Sequence, residues 1–289
     1  MQDSLAQLVQ RYKPNNTAQA IQAIREIIQE IVLLGLWRSK FFEHAAFYGG
    51  TALRIFYQLN RFSEDLDFSL LTADADFSLD RYNQAIKLEL ESFGFKVEVE
   101  TKSKNIDSKI ESAFIKANTK QELINIGFGN LAISGISKDT KVKIKLEVDT
   151  DPPPLFQTEV RILNNPLPVS VRCYKPSYLF AGKMHALLYR LWGNRVKGRD
   201  WYDFVWFVTK QIPLNLPHLR ERMLQSEHLA NQQILTNVEF HRLLRDKIMQ
   251  CDFTLAKQDI MPFIADHSIL DCWDQEYFLA AANGIIIEN

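Results

Sequence analysis

The chain has 289 residues, of which 46% are hydrophobic and 24% charged, with a formal net charge of −1. That length and apolar content can bury a sizeable core in one large or two small domains, and the near-neutral charge argues against a general nucleic-acid coat protein. Cys173, Cys251 and Cys272 stand far apart with no C-x-x-C, which gives neither a disulfide framework nor a zinc site and fits a reduced cytoplasm.

The apolar runs Ile31 to Trp37 and Phe278 to Ala282 are far below the ~20 residues that span a bilayer, so no membrane association is expected. Asp3, with no basic region leading into an apolar stretch, does not begin a signal peptide. His44, His185, His218, His228, His241 and His267 are scattered and read as structural or surface residues.

Residues 1–44 read as a helical arm. Asn16 or Thr17 can cap a helix in which Ile21, Ile24, Ile27, Ile28, Ile31 and Leu34 recur at helical spacing. Residues 45–174 read as an α/β (α+β) core. It holds strands near 45–48, 65–71, 96–102, 111–116, 124–128, 142–148 and 169–173, and helices over about 51–57 and 79–93. Asp151-Pro152-Pro153-Pro154 ends the run of strands. Residues 175–289 read as a helical domain, with Ser177 capping a helix to about Leu191 and another starting near Arg199.

The core carries the chemistry. Phe47-Tyr48-Gly49-Gly50-Thr51 is a strand, a tight turn and a helix start. Glycines let backbone approach a phosphate closely, Thr51 can cap the helix, and the helix N-terminus favours an anion. Thirteen residues later comes Asp65-Leu66-Asp67-Phe68-Ser69-Leu70, whose alternation puts both carboxylates on one face. Like charges so close call for a cation. Mg²⁺ (or Mn²⁺) takes oxygen ligands from one or two carboxylates plus substrate phosphates. A third acid lies in the alternating stretch Lys141 to Asp149, as Glu147, which is slightly preferred, or Asp149. The pattern reads as a nucleotidyltransferase signature.

A second constellation pairs Lys183, on the first helix after the sheet, with Arg199-Asp200-Trp201-Tyr202-Asp203. A compact ammonium at Lys183 suits a triphosphate held by Gly50 and Thr51. Arg199 and Asp203 are at i,i+4 and could form a plain intrahelical ion pair. Arg54 and Arg61 can add positive charge at the triphosphate or serve the structure. Arg172, Lys175, Lys183, Arg190, Arg195, Lys197 and Arg199 occur with no Asp or Glu among them, a candidate phosphate-facing surface.

Gly-Gly-Thr-Ala-Leu-Arg at 49–54, Arg61-x-Ser63-x-Asp65-x-Asp67-Phe68, and Lys183 with Arg199-Asp200-x-x-Asp203 resemble the AbiEii/AbiGii-type nucleotidyltransferase toxins of abortive-infection and toxin–antitoxin systems, within the DNA polymerase β-like superfamily. The resemblance spans roughly residues 45–210; the stretch through Trp192-Gly193-Asn194-Arg195 is longer than in compact members. It implies a two-lobed enzyme in which Gly49, Gly50 and Thr51 bind the NTP, Asp65 and Asp67 bind Mg²⁺, Lys183 contacts phosphate and Asp203 is a further catalytic-site acid. It also implies transfer of a nucleoside monophosphate to RNA, for some members the tRNA 3′ end, and a cognate antitoxin. The rivals are a nucleotidyltransferase acting on a small molecule or protein, a D-x-D glycosyltransferase and a non-catalytic nucleotide- or RNA-binding module.

Overall fold

A computed structural model describes residue 8 and residues 11–102, 109–119, 121–122, 141–190 and 196–289. The chain divides into two compact units that interleave in sequence. The first comprises Met1–Phe56, Glu64–Pro152 and Val160–Cys173, and the second Tyr57–Ser63, Pro153–Glu159 and Tyr174–Asn289.

The first unit is built on a mixed seven-stranded sheet. Its strands are β1 (Ala45–Tyr48), β2 (Leu66–Leu70), β3 (Val97–Lys102), β4 (Ile110–Asn118), β5 (Lys141–Asp149), β6 (Thr158–Leu163) and β7 (Val169–Tyr174), in the order β3-β4-β5-β2-β1-β7-β6. β2 runs antiparallel to β1 and parallel to β5, so the Asp-bearing strand lies inside the sheet with a neighbour on each side. Helix α1 (Thr17–Arg38) starts at Asn16, whose side chain accepts from the Gln19 N–H, and buries Ile24, Ile27, Ile28 and Ile31 in the core. Helix α2 (Gly49–Tyr57) follows β1 without a break, and α3 (Asp80–Ser92) packs on α1.

Phe68 fixes the back of β2. It is fully buried, with the rings of Phe41 and Phe47 each 5.0 Å from its own. Burial of such a side chain contributes about 1.5–3 kcal/mol, and because side chains alternate along a strand, Asp67 is held on the opposite face.

The second unit is mainly helical: α4 (Pro176–Tyr189), α5 (Gly198–Thr209), α6 (Leu216–Gln225), α7 (Asn237–Gln250), α8 (Phe253–Ile260) and α9 (Gln275–Asn283), with a small pair of strands, β8 (Leu214–Asn215) and β9 (Ile287–Glu288). Its core stacks Phe253 on Phe278 at 4.4 Å, with Trp201 edge-on to both. A Cβ at Gly198 would come within 2.0 Å of the Ala256 carbonyl oxygen, so α5 meets α8 at a point where only hydrogen fits.

Some local expectations change. Ser177 does not cap α4: Lys175 takes that position and Pro176 opens the helix, where its missing N–H costs nothing. β6 was not anticipated after the proline run. The strand expected at 124–128 lies outside the described residues.

Candidate active site

The antiparallel register sets Tyr48, the last residue of β1, opposite Asp67. The chain then turns at Gly49, with φ at +81°, and enters α2 immediately. A Cβ at residue 49 would lie 2.2 Å from Asp67 Oδ2 and 3.0 Å from its Cγ. The glycine bend therefore lies directly against the second carboxylate of the D-x-D pair, and both the positive φ and the contact demand glycine.

Thr51 departs from its expected role as a cap. It is the third residue of α2, fully buried, and its hydroxyl donates to the backbone carbonyl of Asp65. This bond ties the first turn of the helix to the entry of β2. Asp65 is exposed just before the strand begins, and Asp67 is half-buried within it.

In the parallel pairing of β2 with β5, Asp67 stands beside Glu147 and the buried Ser69 beside Asp149. Paired residues of neighbouring strands share a face, so Glu147 and Asp67 are immediate neighbours and Asp149 is one pair further along. Glu147 Oε1 lies 2.5 Å from Lys145 Nζ, whereas Asp149 Oδ1 accepts from the Asp151 N–H at 3.1 Å. Among the described residues no group of three or more His, Cys, Asp or Glu side chains is arranged to hold a metal ion.

The second unit contains a buried charge network. Asp203 on α5 is fully buried, and Arg61 Nε and Nη2 donate to its two oxygens at 2.6 Å each. Lys183 Nζ on α4 lies 2.8 Å from Asp203 Oδ2. Burial alone would push the Asp203 carboxyl up; Arg61 and Lys183 outweigh it and hold the group below the ordinary Asp range. Burial disfavours the charge on Arg61, but Asp203 more than restores it.

Arg61 thus serves the structure and Asp203, not an exposed triphosphate. Arg61 and Lys183, rather than the i,i+4 neighbour Arg199, hold Asp203. Arg54 pairs with Glu26 at 2.9 Å in the first unit. Several of the run of basic residues have separate partners. Arg172 donates to the Phe42 carbonyl, Lys175 to Gln157, and the Arg199 guanidinium lies 4.1 Å from the Phe263 ring centroid. Arg195 and the neighbouring Trp192-Gly193-Asn194 lie outside the described residues.

Sequence reasoning missed the Arg61–Asp203 pair, whose members are 142 residues apart with no local pattern joining them. It also gave no role to Asp200, which is buried one turn before Asp203. Burial raises its carboxyl above the usual range, although Lys183 pulls the other way.

Compared with known families, residues 31–281 match the model for the nucleotidyl transferase AbiEii toxin of type IV toxin–antitoxin systems. The chain belongs to the AbiEii toxin family. As an AbiEii protein it is a nucleotidyltransferase, and membership carries an NTP substrate, usually a divalent cation, and an antitoxin partner. No curated protein matches the chain.

Among solved structures, it is similar to two from Helicobacter pylori. One, provisionally assigned as a nucleotidyltransferase, is 18% identical with a TM-score of 0.47, covering 89% of each chain. The other, JHP933, is 17% identical with the same TM-score, covering 91% of this chain and 90% of that one. Among the described residues no helix is long and apolar enough to cross a membrane.

Proposed function

We propose that this AbiEii toxin moves a nucleoside monophosphate from an NTP to an RNA acceptor, the 3′ end of tRNA, in a Mg²⁺-dependent reaction in the bacterial cytoplasm. The observation that carries the proposal is the Gly49 bend seated on Asp67, since a phosphate binder and a cation ligand are then one piece of backbone.

The backbone N–H groups of Gly50 and Thr51, in the first turn of α2, suit the NTP phosphates. Asp65 and Asp67 would hold Mg²⁺, with Glu147 beside Asp67 as the third acid. When bound, the cation neutralises the carboxylates and lowers the pKa of the attacking hydroxyl. In the transfer, the RNA hydroxyl gives its proton to a neighbouring carboxylate such as Glu147 or to solvent, its oxygen bonds to the α-phosphorus, the bridge to the β-phosphate breaks, and pyrophosphate leaves. Lys183 has three donors and gives one to Asp203, which leaves two for a nucleotide phosphate. Asp203, enclosed by Arg61 and Lys183, is a positioning residue that fixes the ammonium of Lys183.

The test is to incubate the purified protein with each labelled NTP, Mg²⁺ and total tRNA. Label should enter RNA. Label found only on protein or small molecules would overturn the RNA acceptor, and no transfer to anything would overturn the proposed chemistry.

A further inference from the structure

The helical unit contains a cavity of about 170 Å³ between the end of α4, the start of α5 and the end of α7. Asp200 lines it while only 6% exposed, and among the described residues no hydrogen bond or ion pair meets its carboxylate. A buried acid without such a partner is costly to the fold. The cost is relieved if a ligand supplies the missing donor.

The rest of the lining restricts that ligand. Arg190, Lys197 and Lys247 bring positive charge, and Leu187 and Trp201 bring an apolar wall. Trp201 is a firm wall because its ring is packed 5.1 Å from Phe253 and 5.0 Å from Phe278. A bare anion entering here would be repelled by Asp200, and a bare cation by the three basic side chains. A ligand with a flat apolar body, an amino donor and a phosphate satisfies every part.

We infer that this cavity recognises an amino-bearing nucleobase, cytosine, adenine or guanine, at the end of an RNA acceptor. Asp200 accepts from the exocyclic amine, as acidic side chains do from cytosine N4. The basic rim takes the adjoining phosphate, and the base lies along Leu187 and Trp201. Uracil offers an acceptor oxygen where cytosine has its amine, and meets Asp200 unfavourably. The inference rests on the transfer proposal only for the origin of the nucleotide in RNA.

Calorimetric titration of the full chain with CMP, AMP, GMP, UMP and inorganic phosphate tests it. EDTA is included to suppress cation-dependent binding at the Gly49–Asp67 bend. CMP, AMP and GMP should bind roughly tenfold more tightly than UMP or phosphate. Asp200→Leu should remove that preference and raise the melting temperature, since the unpartnered acid is gone. If Asp200→Leu does not fold, Asp200→Asn replaces it; its amide can donate to uracil O4, so the gap between CMP and UMP should narrow. Lys247→Glu should weaken all the nucleotides together.

Equal binding of UMP or phosphate, no binding of any nucleotide, or an unchanged preference in either Asp200 variant would overturn the inference. Transfer to tRNA without nucleotide binding in EDTA would reject the cavity and leave the transfer proposal standing. Binding with the expected preference but without transfer would do the reverse.

Discussion

The charges of the two units are held in opposite ways. In the first unit Asp65 is exposed and Asp67 half-buried, and both are placed by backbone: the pleat of β2, its pairing with β1, and the turn at Gly49. In the second, Asp203 and Arg61 are almost wholly shielded from water and are placed by each other. Side chains positioned by backbone can be exchanged with little effect on the fold. Side chains positioned by mutual attraction in a medium of low polarity cannot, because removal of one strands the other.

Four experiments can break or sharpen this contrast, ordered by expected effect on stability. Asp203→Ala leaves Arg61 buried without its counter-charge and should cost about 3–5 kcal/mol in urea denaturation; a loss below about 1 kcal/mol would show that water reaches the pair. Gly49→Ala forces a methyl group onto Asp67 at a positive φ and should cost about 1–3 kcal/mol, with loss of nucleotidyl transfer.

Acid should weaken the helical unit. Burial, with the nearby Arg222, holds His185 and His218 down to about 3, so both stay neutral in the fold while the unfolded chain takes up protons from about pH 6.5. Their contribution is present above pH 6.5 and declines as pH falls from there towards 3. Asp203, held below its ordinary value of 3.8, adds a further loss at the acid end of that range. Thermal melts followed by tryptophan fluorescence should show this, since Trp201, Trp206 and Trp273 all lie in the helical unit; a melting temperature constant from pH 7 to 4 would contradict it. Asp67→Asn should have the smallest effect on stability, within about ±0.5 kcal/mol, while abolishing label transfer. A large loss of stability there would erase the distinction between the two regions.

What could be read from the sequence follows the same division. The strand bearing Asp67, the glycine turn and β5 each announce themselves through alternation or spacing within about nine residues, and the structure forms them, with Asp65 just outside the strand. The preference for Glu147 over Asp149 was only slight, because strand register is a tertiary quantity; pairing with β2 sets Glu147 beside Asp67. Thr51 looked like a cap because its type and place fit one, but a helix that starts at a positive-φ glycine leaves its hydroxyl free to join Asp65. For Arg61 the sequence left a triphosphate role and a structural one open, because the partner that decides between them is 142 residues away.

The short segment Tyr57–Ser63 has a consequence for dissecting the protein. Besides Arg61, it contributes the Phe62 N–H to the Phe263 carbonyl and the Asn60 carbonyl to the Tyr202 hydroxyl. A fragment beginning at residue 175 would therefore keep Lys183 beside the buried Asp203 but leave Arg61, its bidentate partner, behind on the other piece. No single cut yields two self-sufficient halves, so a gene divided between these regions should produce an inert pair that regains its properties only on reassembly.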